Sequence, residues 1–213
     1  MSTLPSRLIF LPGASGNTEF WHPAAQCLVY PAAQLHIGWP GFGPTPPDPS
    51  VQSMDDLVTR LLPAIDQPTA LIAQSMGGIV AVCAALQRPE RITHLVLSAT
   101  SGGVNMPAFG AQDWRPEFTA EYPSLPRWFI DDHSDLSDRL AELQMPVLLL
   151  WGDNDPISPV EVGEHLARLL PCTTLQVLPG AGHDLGFSHA RKVAGLIDRH
   201  LLGSRFHDRQ QSN

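Results

Sequence analysis

Six short apolar runs recur along the chain, and segments of helical length separate most of them. The runs are rich in Leu, Ile and Val and alternate little with polar residues, which is typical of strands that helices cover on both faces. They comprise residues 7–11, 34–37, 70–74, 94–99, 147–151 and 174–178. This order predicts β-α-β units, and therefore an α/β fold built on a mostly parallel sheet of about six strands.

Four segments carry apolar residues near the helical period of about 3.6 residues. They are residues 55–64, 76–87, 160–170 and 189–202. Ser53 precedes the first of these segments, and Asp56 follows three residues later, which is the spacing of a capping box with Asp in place of Glu. Pro89 follows the second segment after one intervening residue and predicts its end.

Residues 101–145 interrupt the alternation of strands and helices. The segment contains Gly102, Gly103 and several prolines, so it predicts an insertion over one end of the sheet. Its aromatic residues are Phe109, Trp114, Phe118, Tyr122, Trp128 and Phe129. These side chains either line a pocket for an acyl group or bury the inner face of the insertion. Residues 1–202 are expected to form one domain that includes this insertion, and residues 203–213 a disordered tail.

Composition narrows the class of function. The chain has 213 residues, a formal net charge of -8 and 13 Lys and Arg residues, which argues against binding to nucleic acid or to an anionic membrane. Its apolar runs are too short to span a bilayer, and the first of them is typical of a strand rather than a signal peptide. We therefore expect a cytoplasmic protein, a monomer or homodimer, with a small-molecule substrate.

The cysteines do not indicate a metal site or a disulfide framework. Cys27, Cys83 and Cys172 are odd in number and lack the spacing of metal ligands. We expect three free thiols, no metal and no cofactor.

A candidate nucleophile follows the third run, in the stretch "AQSMGG". Ligands bind beyond the carboxyl ends of parallel strands, and Ser75 lies at such an end. A nucleophile on a sharp turn between strand and helix needs small neighbours, which Ala73, Gly77 and Gly78 provide. The amide of Met76 begins the next helix and is free to hold a developing oxyanion.

Two later loops supply the partners that a serine nucleophile requires. Asp153 and Asp155 follow the fifth run in "GDNDPISP", and His183 follows the sixth in "PGAGHD". A serine needs a histidine base, which a carboxylate in turn orients. Ser75, Asp155 and His183 supply these groups at three strand ends, with Asp153 as the alternative acid. In the loop "LPGASGN" after the first run, the Ala14 amide is a second candidate oxyanion donor.

These motifs resemble those of the alpha/beta-hydrolase superfamily, and the likeness covers residues 7–202. "AQSMGG" resembles the nucleophile elbow, "LPGASG" the oxyanion loop, "GWPGFGPT" the Pro-Gly-x-Gly turn and "GAGHD" the histidine loop. "WGDNDPISP" resembles the acid loop, where the family pattern G-x-x-D favours Asp155 over Asp153. The sequence departs from the family at Ala73, where the elbow usually has glycine, and at Pro12, where the oxyanion loop usually has histidine.

The resemblance implies a three-layer fold, with a lid inserted after the strand that ends near Ala99. It also implies a serine hydrolase, similar to carboxylesterases, that cleaves an ester or a similarly activated acyl bond. Dehalogenases and epoxide hydrolases of this superfamily use an aspartate nucleophile, so Ser75 argues against them. Candidate contacts to the substrate are Trp21, His22, Trp114 and Trp128.

Two alternatives to ester hydrolysis stay open at this point. One is a carbon–carbon bond hydrolase, or a lyase resembling one of menaquinone synthesis, that acts on a carboxylate-bearing substrate. Arg115 or Arg127 in the insertion would then bind the carboxylate. The other is a receptor on the same fold that binds a ligand without turning it over.

Overall fold

The computed structural model describes residues 4–123 and 125–203 and contains a sheet of six parallel strands in the order β2-β1-β3-β4-β5-β6. The strands are β1 Arg7–Leu11, β2 Ala33–His36, β3 Thr69–Gln74, β4 Ile92–Ser98, β5 Val147–Gly152 and β6 Thr173–Leu178. The predicted six-stranded parallel sheet is confirmed, and the strand ends differ from the predicted ones by two residues at most. Their carboxyl ends therefore meet along one edge of the sheet.

Helices cover both faces of this sheet. They are α1 His22–Ala25, α2 Met54–Leu61, α3 Met76–Gln87, α4 Arg115–Glu121, α5 Arg127–Ile130, α6 Val160–Leu169, α7 Leu185–Ser188 and α8 Ala190–Leu202. The predicted helices correspond to α2, α3, α6 and α8, except that residues 62–64 form a 3-10 turn around Pro63. Helices α1, α4, α5 and α7 have four to seven residues, too few to show a helical period. Within the described residues, no helix is both long and apolar enough to cross a membrane.

The hydrogen bonds that begin α2 resemble the predicted capping box. The Ser53 hydroxyl accepts a hydrogen bond from the Asp56 amide at 3.2 Å. The Asp56 carboxylate reaches back and accepts from the Gln52 amide at 2.9 Å and from the Ser53 hydroxyl at 2.8 Å. Asp56 therefore takes the place of Glu in the box, and the amide that its carboxylate binds belongs to Gln52, the residue before the cap.

The sheet separates two apolar layers. Successive side chains of a strand point to opposite faces, so Ile9 and Leu11 pack with α2 and α3, whereas Leu8 and Phe10 pack with α1 and α8. All four side chains are at most 1% exposed. Burial on both faces explains the unbroken apolar runs of the sequence. The strands end where these runs end, and the polar loops follow there.

The described residues of the segment 101–145 lie over the carboxyl ends of the strands. The segment contains 3-10 helices at Met106–Phe109 and Ser137–Glu142, with α4 and α5 between them. The buried ring of Phe129 packs edge-on against Phe42 of the main fold, with 5.4 Å between ring centroids, and stacks on Trp114 at 5.3 Å. The tail expected at residues 203–213 lies outside the described residues except for Gly203.

Candidate active site

Ser75 occupies a sharp turn between β3 and α3. Its backbone has φ +51° and ψ -121°, a left-handed region that a residue with a Cβ rarely adopts. Neighbouring groups hold it there: the Ser75 amide donates to the Ser98 carbonyl at 3.0 Å, and the Ser75 carbonyl accepts from the Thr100 hydroxyl at 2.6 Å. This turn directs the side chain away from the sheet and into a cavity.

The two glycines after Met76 allow α3 to pack closely beneath this turn. A Cβ at Gly77 would lie 2.6 Å from the Pro12 carbonyl oxygen, and a Cβ at Gly78 would collide with the Thr100 side chain. Ala73, the residue that departs from the family pattern, is completely buried in the core. The turn therefore requires glycine after the serine but accepts alanine before it.

Asp155, rather than Asp153, is the acid that contacts His183. One oxygen of Asp155 lies 2.8 Å from His183 Nδ1, and the Asp155 side chain is fully buried. The other oxygen accepts hydrogen bonds from the amides of Ile157 at 2.9 Å and Ser158 at 3.1 Å. Asp153 is exposed and instead accepts from the Gly180 amide at 2.6 Å. Asp153 therefore ties the acid loop to the histidine loop without touching the imidazole.

The pairing of His183 with Asp155 leaves one ring nitrogen available. A carboxylate that accepts at Nδ1 favours the tautomer with its proton there, so Nε2 is the free basic nitrogen. The His183 side chain is 25% exposed, and its backbone carbonyl accepts from the Gln74 side-chain amide at 3.4 Å. Ser75 and His183 line the same cavity, with no hydrogen bond between their side chains in the described structure. Such contacts are often long before substrate binds.

The cavity that contains Ser75 has a volume of about 340 Å³. Its wall is formed by Gly13, Ala14, Ser15, Phe20, Gln74, Ser75, Met76, Ile79, Ala99, Ser101, Met106, Trp114, Phe118, Phe129, Ile157, His183 and Asp184. Ala14 and Met76 thus both border it, as the candidate oxyanion donors must. Among the described residues, neither amide donates a hydrogen bond to a loop carbonyl or a side chain, and the first amides of a helix have no partner within it.

Of the four predicted substrate contacts, Trp114 lines this cavity and the other three do not. Trp21 is 1% exposed and donates from Nε1 to the Leu11 carbonyl at 3.0 Å, so it belongs to the core, and that prediction is wrong. Phe20 lines the cavity in its place.

The other two contacts are also directed elsewhere. His22 Nδ1 lies 2.6 Å from a carboxylate oxygen of Glu19, and its ring packs edge-on against His36. Trp128 packs edge-on against Phe42 with 5.8 Å between ring centroids, which anchors the insertion to the main fold. Neither side chain lines the cavity that contains Ser75, and contact of either with the substrate stays a prediction.

The two arginines suggested for a substrate carboxylate are engaged elsewhere. Arg115 donates from Nε to the Ile130 carbonyl at 3.1 Å, lies 3.5 Å from Asp113 and covers the Trp114 ring. Arg127 is 78% exposed, pairs with Asp131 and borders neither cavity. Neither guanidinium lines the cavity that contains Ser75.

A second cavity of about 720 Å³ adjoins the first beneath the insertion. The two share Ile79, Ser101, Met106, Trp114 and Phe129. The lining of the second is more polar and contains Asp113, Arg115, Asp132, His133 and Asp135. A substrate that reaches past Met106 would therefore pass from an apolar wall to a polar one.

Comparison with known proteins identifies relatives of two chemical kinds. The model of the alpha/beta hydrolase family matches residues 8–196. A 2-hydroxy-6-oxononadienedioate/2-hydroxy-6-oxononatrienedioate hydrolase from Pseudomonas putida is 26% identical, over 87% of this chain and 82% of its own. A pimeloyl-acyl-carrier-protein methyl ester esterase from Yersinia enterocolitica is 25% identical, over 89% of this chain and 91% of its own.

Solved structures share the architecture at lower identity. An esterase from Thermogutta terrifontis has a TM-score of 0.73 and 23% identity, over 92% of this chain and 89% of its own. A meta-cleavage product hydrolase from Pseudomonas fluorescens has a TM-score of 0.76 and 17% identity, over 92% of this chain and 90% of its own. At this level of identity the likeness concerns the fold, and esterases and carbon–carbon hydrolases share it.

Proposed function

This chain belongs to the alpha/beta hydrolase family, and from that premise we propose that it is a serine hydrolase that cleaves an ester, or a similarly activated acyl bond, of a small molecule. One observation carries the proposal. A strained Ser75 and a histidine paired with a buried carboxylate line one cavity. A serine, a base and an orienting acid are the groups that acyl transfer requires.

In the proposed reaction, Ser75 Oγ attacks the carbonyl carbon of the ester while His183 Nε2 accepts its proton. Asp155 keeps the His183 proton on Nδ1 and stabilises the imidazolium that forms. The amides of Met76 and Ala14 donate to the oxyanion, which bears the charge developed in the transition state. Collapse of this intermediate breaks the bond to the alcohol, and His183 returns the proton to the departing oxygen.

The second half of the reaction releases the acid. Water attacks the acyl-Ser75 carbonyl while His183 accepts one of its protons, and the same two amides hold the new oxyanion. When this intermediate collapses, the bond to Ser75 Oγ breaks and His183 returns the proton to it. The residues proposed here carry out both halves, so the cycle needs only ester and water.

Labelling and turnover test this proposal directly. We expect a fluorophosphonate probe to modify the wild-type chain once and p-nitrophenyl esters to be hydrolysed. Both activities should disappear in Ser75→Ala. Ser101→Ala is the matched control, because Ser101 also lines the cavity and uses its hydroxyl to cap the Gly103 amide at 3.1 Å.

The outcomes also separate the two alternatives. A receptor would bind ligands while its slow background rate stays the same in Ser75→Ala. A carbon–carbon hydrolase would lose cleavage of its own carboxylate-bearing substrate in that variant, while simple esters would remain poor substrates of the wild type. Labelling that persists in Ser75→Ala would refute the assignment of the nucleophile.

A further inference from the structure

The wall around Ser75 offers an apolar surface to the acyl group of a substrate. Ile79, Met106, Trp114, Phe118 and Phe129 form much of it. Among the described residues, no Lys or Arg lines this cavity, and its charged or titratable side chains are His183 and Asp184. His183 is paired with Asp155, and Asp184 is itself negative. An anionic group on the acyl chain would therefore lose its water without gaining a cation.

The adjoining cavity provides no better place for an anion. It is bordered by Asp113, Asp132 and Asp135, and its arginine, Arg115, already contacts Asp113 and the Ile130 carbonyl. Its histidine, His133, lies in the chain between Asp132 and Asp135. Hydrogen bonds from Ser137 hold the pKa of Asp135 below its usual value, so this carboxyl is charged at neutral pH. A carboxylate that extended past Met106 would approach like charges, which disfavours binding.

We propose that the enzyme accepts esters with an uncharged, mainly apolar acyl group and rejects those whose acyl chain ends in a carboxylate. The inference rests on the proposed ester hydrolysis at Ser75. It separates this chain from the Pseudomonas putida relative, whose name specifies dioate substrates. Under this inference, Arg115 and Arg127 do not bind a substrate carboxylate, which the carbon–carbon hydrolase and lyase alternatives would require.

Three methyl esters of equal chain length test the inference. Monomethyl glutarate ends in a carboxylate, methyl glutaramate in a neutral amide of nearly the same shape, and the third ester in an isopropyl group. Methyl esters are used because activated aryl esters of such diacids cleave themselves, and methanol release gives kcat/KM. We expect the isopropyl ester to be the best substrate and the amide to exceed the carboxylate by roughly 100-fold, since charge is the main difference between those two.

A substitution at the junction of the two cavities tests whether charge causes the discrimination between the amide and carboxylate esters. Met106 lines both, and a lysine there has a similar length and adds the missing cation. Met106→Lys should narrow the ratio of amide to carboxylate by about tenfold or more. Met106→Gln, which is polar but uncharged, should leave that ratio close to the wild-type value even if both rates change.

Each result decides a separate question. Equal kcat/KM for the carboxylate and amide esters in the wild type would overturn the inference while leaving serine catalysis intact. A ratio that Met106→Gln narrows as much as Met106→Lys would show that polarity, and not charge, governs selection. Failure of all three esters, together with no probe labelling of Ser75, would overturn the proposed function and this inference with it.

Discussion

The two ends of the sheet place imidazoles in opposite surroundings. At the carboxyl end, His183 Nδ1 lies 2.8 Å from the Asp155 carboxylate. Nearer the other end, His94 of β4 and His200 of α8 pack edge-on against each other with 5.1 Å between ring centroids, and neither has an ion-pair partner in the described structure. Burial lowers the pKa of each of these two rings to about 4. The imidazole at the carboxyl end therefore has a carboxylate partner, whereas the buried pair has none and stays neutral near pH 7.

The contrast is between an imidazole that we propose for proton transfer, His183, and two imidazoles that pack without exchanging protons near neutral pH, His94 and His200. In the proposed reaction, the carboxylate partner stabilises an imidazolium, so that His183 accepts and returns a proton within the cavity. His94 and His200 act as aromatic packing groups while the pH stays near neutral. Three experiments test or refine the distinction.

The largest effect is expected at the acid of the reactive end. Asp155→Asn should lower kcat for ester hydrolysis by roughly 10⁴-fold, because an amide favours the wrong tautomer of His183. Asp153→Asn is the matched control, since its side-chain oxygen can still accept from the Gly180 amide, and we expect a loss below about tenfold. Steady-state kinetics on both variants decides the matter. An equal loss in the two would remove the distinction between the acids.

The second effect concerns the free energy of unfolding in acid. In the unfolded chain, histidine binds a proton below about pH 6.5, whereas His94 and His200 stay neutral in the fold down to about pH 4. The unfolded state therefore binds more protons in this window, and stability falls as the pH is lowered through it. The loss should be on the order of 3 kcal/mol for one ring.

Urea unfolding at several pH values between 7 and 4 measures this loss. His94→Phe keeps an aromatic ring and removes one titrating group, so the dependence on pH should become shallower. Replacing the exposed His133 with phenylalanine should leave it unchanged. If His94→Phe behaves like the His133 variant, the buried pair does not control acid unfolding.

The smallest effect is expected at Thr100, which supports the strained turn from behind. Thr100→Val removes the hydrogen bond to the Ser75 carbonyl and should reduce kcat and the rate of probe labelling by roughly tenfold, with little change in KM. Thr100→Ser keeps the hydroxyl and should restore both rates. A purely structural role would instead lower the melting temperature of Thr100→Val and leave the labelling rate of the folded protein unchanged.

The polar centre of the candidate site was accessible from sequence because it depends on topology. Parallel strands bring their carboxyl ends to one edge, so Ser75, Asp155 and His183 could be placed together without knowledge of any contact. The choice between Asp153 and Asp155 required the family pattern. In the structure the two acids differ in their partners: one binds an imidazole and the other a backbone amide.

The cavity wall was less accessible, because it depends on the direction of individual side chains. Phe20 and Trp21 are neighbours in sequence, yet the first lines the cavity and the second is buried with its indole nitrogen bound to the Leu11 carbonyl. In the insertion, both readings of the aromatic residues apply. Trp114 lines the cavity, whereas Trp128 packs against Phe42. Helices as short as α4 and α5 give no periodic signal that would separate these roles.

The two hydrogen bonds of the Thr100 hydroxyl affect where the splice point of a chimaeric protein should lie. It donates to the Ser75 carbonyl and accepts from the Gly102 amide at 3.0 Å, so a single side chain links the nucleophile turn to the first residues of the insertion. If the insertion is exchanged between relatives with a splice point before Thr100, the residue that supports the Ser75 carbonyl is exchanged together with the pocket. A splice point after Gly103 keeps the native support, and it allows substrate preference to be transplanted without altering the presentation of the nucleophile.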